Sequence, residues 1–303
     1  MSERVLVVGA AGFIGQHLVR SWTDDGISVC AIVNQARAEF DPRVRTLGTE
    51  ASFSTLLADC DAVVWLASGT TPASSAGNPL LELGSNLVPL LGLLHALQAS
   101  PHCHLIYVSS GGTLYGDVDH PAEESLAPHP RSYYAAGKAS AEHFVEAYCQ
   151  QYAGRATILR PSNVYGPGQT LHGGFGVVPA AMTCLRDGKP MLLWGDGNSL
   201  RDYLYIDDFV SACSKALQVP PNAGMRAYNI CSGEGTSLND LLAEIESIAG
   251  RRLLRDRRAA RSVDLHRVLL DSTSIRQDLQ WAPATALREG LSKTWRWFLG
   301  ARP

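Results

Sequence analysis

The chain has 303 residues, 46% hydrophobic and 18% charged, with 28 glycines, 16 prolines and a net charge of −3. That balance excludes a disordered, collagenous or coiled-coil chain, and it gives no global pull toward nucleic acid or an anionic membrane. No uninterrupted apolar run approaches the roughly 18 residues of a membrane span, and the seven cysteines, scattered and without a C-x-x-C pair, suit neither a disulfide framework nor a zinc site.

Val5–Val8 reads as an unbroken apolar strand, the pattern of a sheet covered on both faces. It leads into a glycine loop, so this apolar start is read as a strand and not as a secretory signal. Ile14, Leu18, Val19 and Trp22 then recur at helical spacing until Asp24-Asp25-Gly26. The patterning predicts strands at Val29–Val33, Ala62–Leu66, Leu105–Val108 and Ala156–Leu159. It also predicts a long helix around Leu80–Gln98, bent or begun near Pro89, and another from Tyr133 to Tyr152. Such alternation is the βαβ signature of a parallel sheet. From about Gly166 the alternation breaks down: glycine and proline cluster at 166–179, and helices follow near 207–218, 237–249 and 285–299. Arg251, Arg252, Arg255, Arg257, Arg258 and Arg261 form a basic run that reads as a solvated loop.

Three motifs carry chemistry. Gly9-Ala10-Ala11-Gly12-Phe13-Ile14-Gly15 directly follows a strand and opens a helix. Glycine spacing alone is a weak signal, but this context lets backbone approach a pyrophosphate whose charge meets the first-turn amides. Tyr134-Ala135-Ala136-Gly137-Lys138 puts a phenol and an ammonium on one helix face, about one turn apart. The pattern is common by chance; in this context the ammonium is expected to lower the phenol pKa toward a useful range. Leu105–Val108 runs into Ser109-Ser110-Gly111-Gly112-Thr113-Leu114-Tyr115-Gly116, a hydroxyl-bearing strand end. No histidine or cysteine spacing fits a metal, so none is expected.

These motifs together resemble the extended short-chain dehydrogenase/reductase family, in its branch of NAD-dependent, UDP-glucose 4-epimerase-like epimerases and dehydratases. The resemblance runs from residue 4 to about residue 299. It implies an α/β fold, a Rossmann-type doubly wound parallel sheet with a smaller C-terminal substrate-binding region. Residues 1–165 would form the dinucleotide-binding domain and 166–303 mostly the substrate region, from which a strand or helix could return to the first domain. Gly9, Gly12, Phe13, Ile14 and Gly15 would hold the cofactor, with Tyr134 and Lys138 at its nicotinamide end. Strand two departs from the family: Val33 stands where NAD-binding members carry an Asp, Asn34 follows, and Thr49 replaces a second Asp. Arg37 could meet a 2′-phosphate, so NAD is expected and NADP stays possible.

The family's catalytic hydroxyl falls on Gly111 here, which leaves Ser110 or Thr113 to supply it. Dehydratases of the family carry an Asp-Glu pair where Gly112 and Thr113 stand, and its decarboxylases a Glu at 113. A 4-epimerase needs neither, so that activity is the expectation, with a 4-keto-sugar-nucleotide reductase as the rival. Arg160-Pro161-Ser162-Asn163-Val164-Tyr165-Gly166-Pro167 and Gly195-Asp196-Gly197-Asn198-Ser199-Leu200-Arg201-Asp202-Tyr203 resemble the family's nucleotide-sugar segments. They imply that Asn163 and Arg201, with Asn86 and Arg261, bind the substrate, a UDP-linked hexose or derivative. A cytoplasmic homodimer without nucleic-acid or membrane partners completes the expectation.

Overall fold

A computed structural model describes residues 4–33, 40–41, 43–49, 52–171, 176–259 and 265–300. Among them the strands are β1 (Arg4–Val8), β2 (Ser28–Val33), β3 (Arg45–Gly48), β4 (Ala62–Trp65), β5 (His104–Val108), β6 (Arg155–Pro161), β7 (Asn163–Tyr165), β8 (Met191–Trp194), β9 (Leu200–Tyr205), β10 (Gly224–Ile230), β11 (Gly235–Ser237), β12 (Arg255–Arg258) and β13 (Arg267–Val268). Seven of them form one parallel sheet in the order β10-β6-β5-β4-β1-β2-β3. This is a Rossmann-like doubly wound sheet, and the chain reverses direction of travel at β1, between β4 and β2. Ligands of such sheets lie at that switch point, beyond the carboxyl ends of the strands.

Alternation along β1 explains the two covered faces. Val5 and Val7 join a core with Leu18, Trp22 and Phe209, whereas Leu6 and Val8 join one with Leu90, Leu93, Leu97 and Tyr148. On the first face Trp22 of the Phe13–Asp24 helix is fully buried, and its Nε1 donates to Ser214 Oγ at 2.8 Å in the Ile206–Gln218 helix. On the second face lies one long helix, Pro79–Leu97, beside the Tyr133–Tyr152 helix. Its turn at Leu83–Leu87 is a π-helix in which the Val88 amide bonds the Leu83 carbonyl. Pro89 lacks the amide that would close the ordinary α bond to residue 85, which accounts for the wide turn. With a mean hydropathy of 1.5, this is the one helix among the described residues long and apolar enough to cross a membrane. Leu90, Leu93, Leu94 and Leu97 are nevertheless buried within the fold.

The strands and helices of the first half lie where the patterning placed them, within a residue or two. Short pieces escaped it: β3, a helix at Phe53–Leu57, and the one-turn helix Gly111–Leu114. The C-terminal half returns two elements to the first: β10 extends the main sheet beside β6, and the Ile206–Gln218 helix packs on the Phe13–Asp24 helix. Its remaining strands build a small sheet of β7, β9, β11 and β13 and a pair of β8 with β12. The basic run is therefore only partly loop. Arg255–Arg258 is strand β12, parallel to β8, and Arg255 pairs with the buried Glu246 at 3.0 Å.

Candidate active site

All the motif residues that lie on the main sheet fall at the carboxyl ends of its strands. Beyond β1, Gly9 adopts φ +90° and its backbone lies so near β4's exit loop that a Cβ would sit 2.7 Å from the Ala67 nitrogen. A Cβ on Gly15 would lie 2.7 Å from both Cα and O of Ala10, and one on Gly12 would lie 3.3 Å from the Gly9 carbonyl. Gly9 and Gly15 leave no room for a side chain in this close turn, and Gly12 leaves little. Gly12 caps the Phe13–Asp24 helix and no side chain bonds the first-turn amides, which leaves a cradle shaped for a diphosphate. Phe13 and Ile14 are half-buried beside it. Val33 closes β2 with no carboxylate, and Asn34 and Arg37, like Arg261, lie outside the described residues.

Ser132 caps the Tyr133–Tyr152 helix by accepting from the Ala135 amide at 3.1 Å, which sets Tyr134 and Lys138 in its first two turns. Lys138 is buried; its Nζ donates to the Val108 carbonyl at 3.0 Å and stands 5.8 Å from the Tyr134 ring centre and 5.0 Å from that of Tyr107. The shifts run opposite to the expected lowering of the phenol. Burial pushes Tyr134 up to about 12, against the pull of the Ser110 and Ser68 hydroxyls, and pushes Lys138 down to about 8. Loss of solvation outweighs a partner whose ammonium is held on a carbonyl and not on the phenol oxygen.

Ser110, beyond β5, reaches the Tyr134 hydroxyl, and Thr113 Oγ1 donates to Ser110 Oγ at 3.0 Å. Tyr134, Lys138, Ser110 and Thr113 are thus brought together. The missing hydroxyl at 111 has a steric reason. A Cβ there would collide with Leu270 and lie 2.8 Å from the Arg160 carbonyl, so the first hydroxyl that fits is one residue earlier.

The substrate-side residues are more dispersed. Asn163 donates to the Asp202 carbonyl at 2.8 Å. Arg201 donates to the carbonyls of Leu200 at 2.8 Å and Leu265 at 2.6 Å, so its guanidinium braces the segment after residue 264. Asn86 accepts from the Gly69 amide at 2.7 Å and donates to Thr70 Oγ1 at 2.6 Å and Glu82 Oε1 at 2.8 Å. It ties the loop after β4 to the Pro79–Leu97 helix. Sequence reasoning missed Ser68 and Glu82. Neither belongs to a motif; Ser68 acts on Tyr134, and Glu82 on both Tyr134 and Lys138, through loop and helix packing that periodicity does not reveal. Among the described residues no cluster of His, Cys, Asp or Glu could hold a metal ion.

The profile of the NAD dependent epimerase/dehydratase family matches residues 5–231. The chain is 33% identical over 310 residues to a UDP-glucose 4-epimerase of Mycolicibacterium smegmatis, covering 97% of this chain and 98% of that protein. Among solved structures it resembles the Thermus thermophilus UDP-glucose 4-epimerase in complex with NAD, with a TM-score of 0.90, 31% identity, and coverage of 99% and 100%. The Thermotoga maritima UDP-glucose 4-epimerase with UDP-glucose gives a TM-score of 0.90, 30% identity, and coverage of 98% and 99%.

Proposed function

The chain belongs to the NAD-dependent epimerase/dehydratase family, and we propose that within it this protein is a nucleotide-sugar 4-epimerase that inverts C4 of a UDP-hexose with NAD as resident cofactor. The observation that carries the reading is the grouping of Tyr134, Lys138 and Ser110 beyond the carboxyl end of β5, beside a strand-end turn whose residues 111–114 include no acid. Elimination of water needs acid and base groups on that turn; inversion through a 4-keto sugar needs only a proton carrier over the 4-hydroxyl.

The glycine cradle fits a dinucleotide diphosphate. NAD bound there would supply a reversible hydride acceptor for C4, with no net redox change. The chain's residues do the remainder. As the phenolate, Tyr134 Oη takes the 4-hydroxyl proton and later gives it back; burial makes that ionised form costly. Ser110 holds that proton's line of transfer, with Thr113 orienting Ser110 through its own hydroxyl. Lys138 is the cationic neighbour of the phenol. Asn163 and Asn86 from residues 1–165, with Arg201 and Arg261 from the C-terminal region, bind the substrate.

The reading is tested by denaturing the purified protein, weighing the released dinucleotide, and supplying UDP-galactose. NAD⁺ released in near-stoichiometric amount, with UDP-glucose formed and no net reduction, is the expected result. An empty protein that consumes NADPH with a 4-keto sugar nucleotide would replace it with the reductase that Val33, lacking a ribose-binding carboxylate, leaves as the second reading.

We also place the protein in the cytoplasm as a homodimer. Leu80 and Val88 are 75% and 54% exposed on one long helix, and Tyr133, Phe144 and Tyr152 are exposed on the adjacent one. Such an apolar row on two packed helices is what an interface between copies covers. Val88→Glu combined with Phe144→Glu should halve the mass measured by sedimentation while leaving the circular dichroism unchanged; an unaltered mass refutes this interface.

A further inference from the structure

We propose that Glu82 is a positioning residue for the Tyr134–Lys138 pair: its buried carboxylate, seated against Gly137, both holds the loop that brings Ser68 to the tyrosine and serves as counter-charge to the lysine. The inference rests on that pair being the reactive one. Glu82 is 4% exposed, at the last position before the π turn of the Pro79–Leu97 helix. A carboxylate is almost never buried so deeply without partners. Here Oε2 accepts from Thr70 Oγ1 and Oε1 accepts from Asn86 Nδ2. Asn86 in turn accepts from the Gly69 amide, and Ser68 Oγ donates to the Thr70 carbonyl at 3.2 Å. The loop 68–70 is thereby fastened to one carboxylate, and Ser68 from that loop reaches the Tyr134 hydroxyl.

The contact with the reactive helix is equally close. Any Cβ on Gly137 would collide with the Glu82 carboxyl group, so the glycine between Tyr134 and Lys138 is the seat that admits it. The charged and titratable groups facing Lys138 are then Glu82 from the long helix, Glu142 and Tyr134 from its own helix, and Tyr107 from β5. Glu142 is already bound to Arg160 of β6, which leaves Glu82 as the carboxylate near Lys138 without a cationic partner of its own among these groups. Its charge supports the ammonium against the desolvation that pulls it down, and disfavours premature loss of the Tyr134 proton.

The test reads Lys138 directly and needs no substrate. The chain has four lysines, Lys138, Lys189, Lys215 and Lys293, so a spectrum of the full-length protein labelled at lysine ¹³Cε contains four signals, with Lys138 identified by its loss in Lys138→Arg. In the unaltered protein that signal should titrate near 8. Glu82→Gln should move the midpoint down by about 1 pH unit or more, the size of shift that a nearby opposite charge imparts, while Glu82→Asp should stay close to the original. Glu82→Met, which fills the space without charge, takes the place of Gln should that variant not fold. A Lys138 midpoint unmoved by Glu82→Gln or Glu82→Met, or moved equally by Glu82→Asp, overturns the proposal. Because no turnover is measured, a protein inactive on UDP-galactose would count against the epimerase reading alone.

Discussion

Tyr134→Phe is expected to lower turnover of UDP-galactose by about 10²–10⁴-fold, the range in which a positioned acid–base group acts, while dinucleotide content stays unchanged. The substitution removes one oxygen and leaves the ring in place, so the helix, its Ser132 cap and the Lys138–Val108 bond persist. The glycine cradle lies on another element, beyond β1, and does not depend on the phenol. Burial raises the phenol to about 12, so forming the phenolate that accepts the substrate proton must be assisted from within the site. Two hydroxyls can assist, and they are not equivalent. Ser110 reaches Tyr134, whereas Thr113 reaches only Ser110, so Ser110→Ala should cost more in kcat than Thr113→Ala. Initial rates set against NAD content by mass decide the matter: wild-type turnover in Tyr134→Phe would remove the tyrosine from the reaction.

How much of this was legible in the sequence depended on whether the signal was local. The glycine loop and the Tyr133–Tyr152 helix were readable because turn geometry and helical spacing act over a few residues. The main-sheet strands of the first half showed as short β-branched runs for the same reason. β10 did not. Its seven residues, GMRAYNI, show no period, and they join the sheet through pairing with β6, some seventy residues earlier in the chain. β12 hid within a run of arginines because an edge strand may carry charge freely. Within the site, the displaced hydroxyl was visible as a departure at Gly111, but its cause, the side chain of Leu270, comes from the far end of the sequence. Ser68 and Glu82 were invisible for the same reason: each acquires its role only when the loop after β4 folds onto the long helix.

Removing either member of the buried pair between Arg160 and Glu142 is expected to cost about 3–5 kcal/mol of stability, because the partner is left charged without compensation. Arg160 is 7% exposed and Glu142 5%. Arg160 Nε donates to both carboxylate oxygens at 3.1 Å and one terminal nitrogen donates to Oε2 at 2.5 Å. The other terminal nitrogen donates to Tyr115 Oη at 2.6 Å, Tyr115 donates to Asn229 Oδ1 at 2.8 Å, and Asn229 Nδ2 donates to the Ala122 carbonyl at 2.8 Å. Ser109 Oγ completes the set by donating to Glu142 Oε1 at 2.5 Å. This chain of bonds crosses from the exit of β5, through the reactive helix and β6, to β10, and so fastens the strand returned by the C-terminal half to the half that carries Tyr134. For a fold whose whole stability is of order 5–15 kcal/mol, Arg160→Met or Glu142→Leu should bring the urea midpoint down sharply. The double variant should be less destabilised than the sum of the singles, since it buries no orphaned charge. Strictly additive losses across that cycle would mean that the two side chains stabilise the fold independently and that the pair is not the joint between its halves.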